Sequence, residues 1–365
     1  MRKLGVLVVV GLLAGCAAAP TVTPSPTPPP VASPTATPAP EALVPTGEVS
    51  DVLTGLAAPW SMVRLESGAT LISERDSRRI LEFESTGALR EVGTVADAAP
   101  GGEGGLLGLE VIDDYLYAYF TSASDNRVVR WVLAGSPGSY SLVGPGEVIL
   151  GGLGKAGNHN GGRIKLGPDG MLYVTVGDAS DTGTSQNVDS PNGKILRINP
   201  DGSIPADNPF PGSPVYSMGH RNPQGLAWDA SGRLWAAEFG QNTWDEINLI
   251  TPGGNYGWPN VEGIGGDPAY VDPVVQWSTD DASPSGLASV GATLFMAGLG
   301  GERLWVIDPT TGGATEFFAG QFGRIRDVVE GPGQTLWLLT NNTDGRGSAR
   351  SGDDRIVQVE LAPAG

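Results

Sequence analysis

The chain carries only two histidines, and one of them, His159, sits in the glycine-flanked run NHNGGRIKLGPDGMLYVTVGD, Asn158 to Asp178. RIKL and MLYVTV read as the arms of a hairpin turning at GPDG, where Pro, Asp and Gly break the apolar run. The centre of the turn falls between Pro168 and Asp169, so equal offsets set His159 beside Asp178 at the open end. A carboxylate next to an imidazole can hold one ring nitrogen as donor and leave the other as a general base. The same spacing suits a loop histidine that merely caps a backbone carbonyl, and both readings stay open at this level.

Four other clusters could do chemistry. MGHRNPQG holds His220 beside Arg221 and Asn222, two donors suited to an anionic or carbonyl ligand. His220 itself is read as a structural hydrogen-bonding residue. In EFGQNTWDEINLI, Gly240 and Gln241 form a turn whose carbonyls could take a hard cation, with Asp245 and Glu246 close behind as oxygen ligands. In GRIRDV, an extended backbone points Arg324 and Arg326 to one face and Ile325 to the other, a pattern that solvated strand edges also show. GGEGGLLG cushions Glu103 between glycines, which is equally the composition of a plain turn.

Residues so far apart need a fold that gathers loops. With 55 glycines, 17% charged residues and short Val/Ile/Leu/Trp/Tyr runs broken by Gly, Pro, Asp and Asn, the chain has an all-β profile. Six segments repeat one form, apolar strand, polar loop, apolar strand and turn, as in DDYLYAYFTSASDNRVVRWVL and GATLFMAGLGGERLWVIDPTTGG. Their anchors are Leu71, Leu116, Leu172, Leu234, Leu294 and Leu336, spaced 42 to 62 residues apart, about one four-stranded blade each. This predicts a six-bladed β-propeller of four-stranded antiparallel blades, in preference to a β-sandwich, with function on loops at one mouth of its central channel. EVSDVLTGL is expected to close the ring as an outer strand of the last blade.

The formal charge of −18 excludes nucleic acid and anionic membrane surfaces as partners, because the long-range field repels both. The N-terminus MRKLGVLVVVGLLAGCAAAP has Arg2 and Lys3, then an apolar run too short to span a bilayer, which reads as an export signal over residues 1–15. LAGC, Leu13 to Cys16, resembles a bacterial lipobox, making Cys16 the expected lipidation site. Residues 16–45 follow as a Pro/Thr-rich tether. From residue 20 onward it holds ten of the 30 prolines, a composition that favours extended polyproline II. The globular domain is expected over 46–365, exported and anchored by lipid to the cell envelope, at the outer face of the cytoplasmic membrane or in the periplasm.

The strings from His159 through GKILRINPDGSIPADNPF, GHRNPQGLAW and DEINLITPGGNYGWPNV to RIRDV resemble the soluble sugar dehydrogenases that use pyrroloquinoline quinone (PQQ), the glucose/sorbosone dehydrogenase-like quinoproteins. The resemblance covers the chain after the tether and is closer to the aldose sugar dehydrogenase branch. It implies that His159 takes the proton from the anomeric hydroxyl of an aldose while hydride passes from C1 to PQQ, with Asp178 orienting the base. It implies that Arg221 and Asn222 lie near the quinone oxygens, that Arg324 and Arg326 contact the cofactor, and that Glu103 lies at the mouth. Gly240 and Gln241 would hold Ca²⁺ on PQQ, and Glu246 would bind a further calcium. Electrons would leave to an external acceptor. A protein of charge −18 can hold a trianionic cofactor only where arginines and Ca²⁺ reverse the local field. Three departures stand out: Gly300 replaces a lysine near the cofactor, Gln241 replaces a common proline, and the chain between Trp258 and Leu294 is short. The rival readings are a calcium-dependent lactonase, with carboxylates at the channel centre, and a cofactor-free propeller that binds glycans or proteins.

Overall fold

Short β-branched and aromatic runs separated by Gly, Asp and Asn turns form 24 strands and a single 3-10 turn in the computed structural model, which describes residues 1, 4–12, 14–18, 40–84 and 86–365. Arg2, Lys3, Leu13 and the bulk of the tether, residues 19–39, lie outside the described residues. The chain divides into Met1–Ala39 and Pro40–Gly365. In the first unit the described residues have no regular secondary structure and Cys16 is exposed. Among the described residues no helix is long and apolar enough to cross a membrane.

In the second unit β1 (Leu43–Leu53) precedes blade 1, made of β2 (Pro59–Arg64), β3 (Thr70–Glu74), β4 (Arg79–Phe83) and β5 (Leu89–Thr94). Blade 2 is β6 (Leu106–Ile112), β7 (Tyr115–Thr121), β8 (Asn126–Ala134) and β9 (Ser141–Leu153). Blade 3 is β10 (Ile164–Leu166), β11 (Leu172–Val176), β12 (Lys194–Ile198) and β13 (Val215–Met218). Blade 4 is β14 (Pro223–Trp228), β15 (Leu234–Glu238), β16 (Trp244–Ile250) and β17 (Val275–Ser278). Blade 5 is β18 (Pro284–Val290), β19 (Thr293–Gly298), β20 (Leu304–Ile307) and β21 (Ala314–Phe317). Blade 6 has β22 (Ile325–Glu330), β23 (Thr335–Thr340) and β24 (Ile356–Pro363), and its outer strand is β1. Inner strand β2 touches β6 and β6 touches β10, β11 of blade 3 meets β14, and β14 touches β18, β18 touches β22 and β22 returns to β2, so the ring closes as a six-bladed β-propeller of antiparallel blades.

All six anchor leucines fall on the second strand of a blade, and none is more than 4% exposed. The apolar core is a ring of six wedges, each between two neighbouring blades, such as the Leu71–Ile80–Leu106–Phe120 cluster between blades 1 and 2. Middle strands are therefore buried on both faces, which is why β11, LYVTV, is buried throughout instead of alternating. The outer strand expected from EVSDVLTGL is β1, paired antiparallel with β24. It begins earlier than the expected boundary at Thr46. Leu43, 5% exposed, packs into the wedge between blades 5 and 6, so Leu43–Pro45 belong to the blade and not to the tether.

Near the first residues of five inner strands the ladder slips, at Pro59/Ser61, Leu106/Leu109, Pro223/Gly225, Pro284/Leu287 and Ile325/Asp327. Such bulges re-aim side chains. The residues released from pairing include Trp60, Gln224, Ser285 and Arg326, and they meet in the channel: Arg326 Nη1 donates to Gln224 Oε1 at 2.9 Å and its guanidinium lies 5.7 Å from the Trp60 ring.

Deleting residues 40–53 leaves β24 as a bare edge and uncovers the last wedge. The truncated protein is expected to melt at least about 10 °C lower or to aggregate through that edge; an unchanged melting curve would show that ring closure does not depend on β1.

Candidate active site

The β10–β11 hairpin pairs Ile164 with Val174 and Leu166 with Leu172, so its turn is centred on Asp169. This corrects the sequence-based register by one residue, and the backbone partner of His159 is Ala179, whose N–H donates to His159 O at 3.1 Å. The side chains of His159 and Asp178 nevertheless meet, because the chain ahead of β10 leaves the extended conformation: φ is +55° at His159, +65° at Gly161 and +113° at Gly162. A Cβ on Gly161 would lie 2.5 Å from Thr175 O, so only glycine lets the two arms approach there.

His159 Nδ1 lies 2.8 Å from Asp178 Oδ1, and Nε2 lies 2.7 Å from Arg221 Nη2. A guanidinium has only donors, so Nε2 must present its lone pair and Nδ1 must carry the proton toward Asp178. The acceptor nitrogen of the ring is therefore covered by Arg221. Asp178, fully buried, also accepts from the Ser180 N–H at 2.7 Å and from the Trp258 indole N–H at 2.9 Å. Burial pushes its carboxyl up, but the hydrogen bonds from His159, Trp258 and Ser180 outweigh that and hold it below the usual carboxylate range. Trp258 comes from the loop after β16 and is tied down by Gln186, which donates to Trp258 O at 2.7 Å.

Arg221 is fastened by its own N–H to Glu238, by Nε to Gln241 Oε1 at 2.8 Å, and by its guanidinium 5.6 Å over the Trp258 ring. Burial pulls its pKa down, against the attraction of Asp178 and Glu238. Asn222 Oδ1 accepts the Gly161 N–H at 3.0 Å, and Glu103 Oε2 accepts the His159 N–H at 2.9 Å, so both carry the histidine loop. His220 is fully buried between Ser217 Oγ (2.8 Å) and Glu238 Oε2 (2.7 Å) and stacks on Tyr256, the structural role expected of it.

Beside this group lies a cavity of about 190 Å³ lined by Trp60, Glu103, Gln224, Phe239 and three arginines, Arg324, Arg326 and Arg346. Arg324 and Arg326 do converge, by a different route from the extended strand expected: Arg326 occupies the β22 bulge and Arg324 precedes the strand. Burial first, then Arg324, pulls the Arg326 guanidinium down to about 9, the mark of cations gathered away from water. The Nε atoms of both arginines have no hydrogen-bond partner. Gly300 lies close behind Leu299, and a Cβ there would stand 2.4 Å from Ser283 Oγ.

Among the described residues no donor takes the carbonyl oxygens of Gly240 or Gln241, so both are free to face a cation. The turn is held from behind, where Glu262 Oε1 accepts the N–H groups of Gln241, Asn242, Thr243 and Trp244. Asp245 and Glu246 do not act together as the sequence suggested, because consecutive residues of β16 face opposite sides. Asp245 accepts the Gly240 and Ser283 N–H groups and is pushed up to about 6 by burial. Glu246 faces Glu238 across the ladder; burial and that like charge push its carboxyl well above the usual range. Among the described residues no three His, Cys, Asp or Glu side chains are arranged to hold a metal. A cation at this turn would lean on main-chain oxygens.

Sequence reasoning missed Trp60, Arg75, Gln224, Trp258, Asp344 and Arg346. Trp258 was visible in NYGWPN, and Asp344 with Arg346 in the glycine-flanked TDGRG, but neither string shows which blade it faces. The six-bladed propeller thus brings a histidine–aspartate pair beside an arginine-lined cavity. The family model described as glucose/sorbosone dehydrogenase matches residues 56–349, and the chain belongs to that family. A quinoprotein glucose dehydrogenase B of Acinetobacter calcoaceticus is 34% identical over 60% of this chain and 54% of its own length. An aldose sugar dehydrogenase of Escherichia coli is 29% identical over 79% of this chain and 88% of its own. The PQQ-bound aldose sugar dehydrogenase of Streptomyces coelicolor superposes with a TM-score of 0.82 at 48% identity, over 90% of this chain and 100% of its own.

Trp258→Phe keeps a ring and removes the N–H donated to Asp178. The Asp178 carboxyl is expected to titrate at higher pH in that variant, read by carboxyl-carbon NMR. An identical titration would show that the indole is not what holds it down.

Proposed function

We propose that the protein oxidises aldoses at C1 to lactones with PQQ and Ca²⁺ and passes the electrons to an external acceptor. The observation that carries this reading is the convergence of an imidazole whose acceptor nitrogen is covered only by Arg221 and a cluster of arginines with unused N–H groups. Those arginines fit a polycarboxylate: unpartnered guanidinium donors at a cavity wall suit carboxylates, which accept bidentate bonds. The free carbonyls of Gly240 and Gln241 fit a hard cation. Arg324 and Arg326 would hold the cofactor's carboxylates, Arg221 and Asn222 its quinone edge, and Gly240 and Gln241 the Ca²⁺. When bound, PQQ supplies a two-electron hydride acceptor.

The residues of the chain account for the proton. An aldose hydroxyl reaches His159 Nε2 by displacing Arg221 Nη2, and the base takes the proton while the Asp178 carboxylate stabilises the imidazolium. Arg221, released from the ring, is one side-chain rotation from charge that develops on an oxygen nearby. Export and lipid attachment through Cys16 remain part of the proposal on the strength of the N-terminal sequence. A lactonase would need free carboxylates at the channel centre, whereas Asp327 there is bound to Arg163 at 3.0 Å.

PQQ and Ca²⁺ added to the purified protein, followed by glucose and a dye acceptor, are expected to give a cofactor spectrum and dye reduction; neither appearing would favour a binding module. His159→Ala is expected to keep PQQ binding and lose about 10²–10⁴-fold in kcat. Near-normal turnover would remove the base assignment. Arg324→Ala and Arg326→Ala are each expected to weaken PQQ binding by at least about 30-fold, and unchanged titration curves would count against their role.

A further inference from the structure

The loop that joins β23 to β24 lowers one carboxylate into the middle of the arginine cluster. The Asp344 side chain has no solvent exposure, and its Oδ2 lies 3.5 Å from Arg324, 3.6 Å from Arg346, 3.7 Å from Arg75 and 4.0 Å from Arg326. None of the four closes to a hydrogen bond, and Oδ2 has no partner at all. By contrast, the single-partner pairs Arg79–Glu74 and Arg233–Asp229 close at 2.7 Å. Asp344 is not loose. Its Oδ1 accepts the Arg346 N–H at 3.0 Å, and a Cβ on Gly347 would lie 2.9 Å from Arg324 Cδ, so the loop is fitted against the arginine it serves.

One carboxylate equidistant from four guanidinium groups satisfies none of them and offsets the repulsion among all of them. Each cation keeps N–H groups to spare; only Arg75 has a close acid of its own, Asp76 at 2.7 Å. That arrangement is poor as a set of salt bridges and suited to a site that will receive further carboxylates. We propose that Asp344 is a positioning residue, a built-in counter-ion that stands in for the cofactor's carboxylates. It gathers Arg75 and Arg346 with Arg324 and Arg326. The proposal rests on the PQQ reading. In the cofactor-free protein Asp344 keeps the cluster together; once cofactor carboxylates arrive they take over that role, and Asp344 then faces like charge.

The two states give the test. In Asp344→Asn the free protein is expected to melt about 5 °C or more below the parent, since three largely buried cations and the more exposed Arg346 lose their counter-ion. With PQQ and Ca²⁺ bound, the gap is expected to shrink by at least half, and PQQ titrated by tryptophan fluorescence is expected to bind about tenfold more tightly or better. An equal drop in both states would make Asp344 a merely structural residue and overturn the proposal, as would no drop in the free protein or weaker PQQ binding. Should the variant not fold as a free chain, folding in the presence of PQQ and Ca²⁺ decides: recovery only with cofactor supports the stand-in, and failure in both conditions refutes it. If the parent protein itself binds no PQQ, the functional reading fails, an outcome distinct from all of these.

Discussion

Crowding guanidinium groups at one end of the channel, in a protein whose formal charge is −18, is the constraint on which the surrounding loops depend. Distant surface acids are screened by water and salt and cannot neutralise such a cluster locally. The protein answers with groups placed by hand: Asp344 at the centre, Glu103 at the rim, and the Trp60 ring, which lies 4.5 Å from the Arg163 guanidinium and 5.7 Å from that of Arg326. Beneath it Gln224 is a hub, its side-chain oxygen accepting from Arg326 and Ser285 and its main-chain oxygen from Arg163. Arg163 passes the load on to Asp327. Arg163, Gln224, Ser285 and Arg326 are thereby joined into one hydrogen-bonded polar stack at this end of the channel.

The bulges on the inner strands make that stack possible. A regular strand would alternate its side chains between the two neighbouring wedges and send few of them into the channel. An extra residue on one side of the ladder turns Trp60, Gln224, Ser285 and Arg326 inward without disturbing the apolar residues that follow, which still fill the wedges. The His159–Asp178 pair is assembled on the same terms. His159 comes from the connection between blades 2 and 3, Asp178 from a loop within blade 3, Arg221 from the connection to blade 4, Trp258 from a loop within blade 4, and Glu103 from the connection between blades 1 and 2. Its orientation therefore depends on the ring being closed.

Much of this was legible beforehand. The repeat of buried leucines located every second strand, because a wedge between sheets needs an apolar residue there in each blade. The polar loops holding His159, Arg221, Gly240 and Arg324 were visible as breaks in that repeat. The hairpin register was read one residue off, since a sequence does not show that His159, Gly161 and Gly162 adopt positive φ. Asp245 and Glu246 were grouped by adjacency, whereas the pleat sets them on opposite faces and gives Glu246 to Glu238 instead.

By itself, then, the order of residues determined the blade count, the closing outer strand, the loops that carry chemistry and the family strings, because each is written in local periodicity or composition. Tertiary structure alone decided which loops touch: that Asp344 stands among Arg75, Arg324, Arg326 and Arg346, that the Trp258 indole holds Asp178, and that Arg221 covers Nε2 of His159. Such contacts join residues up to 269 positions apart, as between Arg75 and Asp344, and arise only when six sheets pack around one axis. Hydrogen bonds and Coulomb forces act over a few ångströms of space, and no spacing along the chain records that distance.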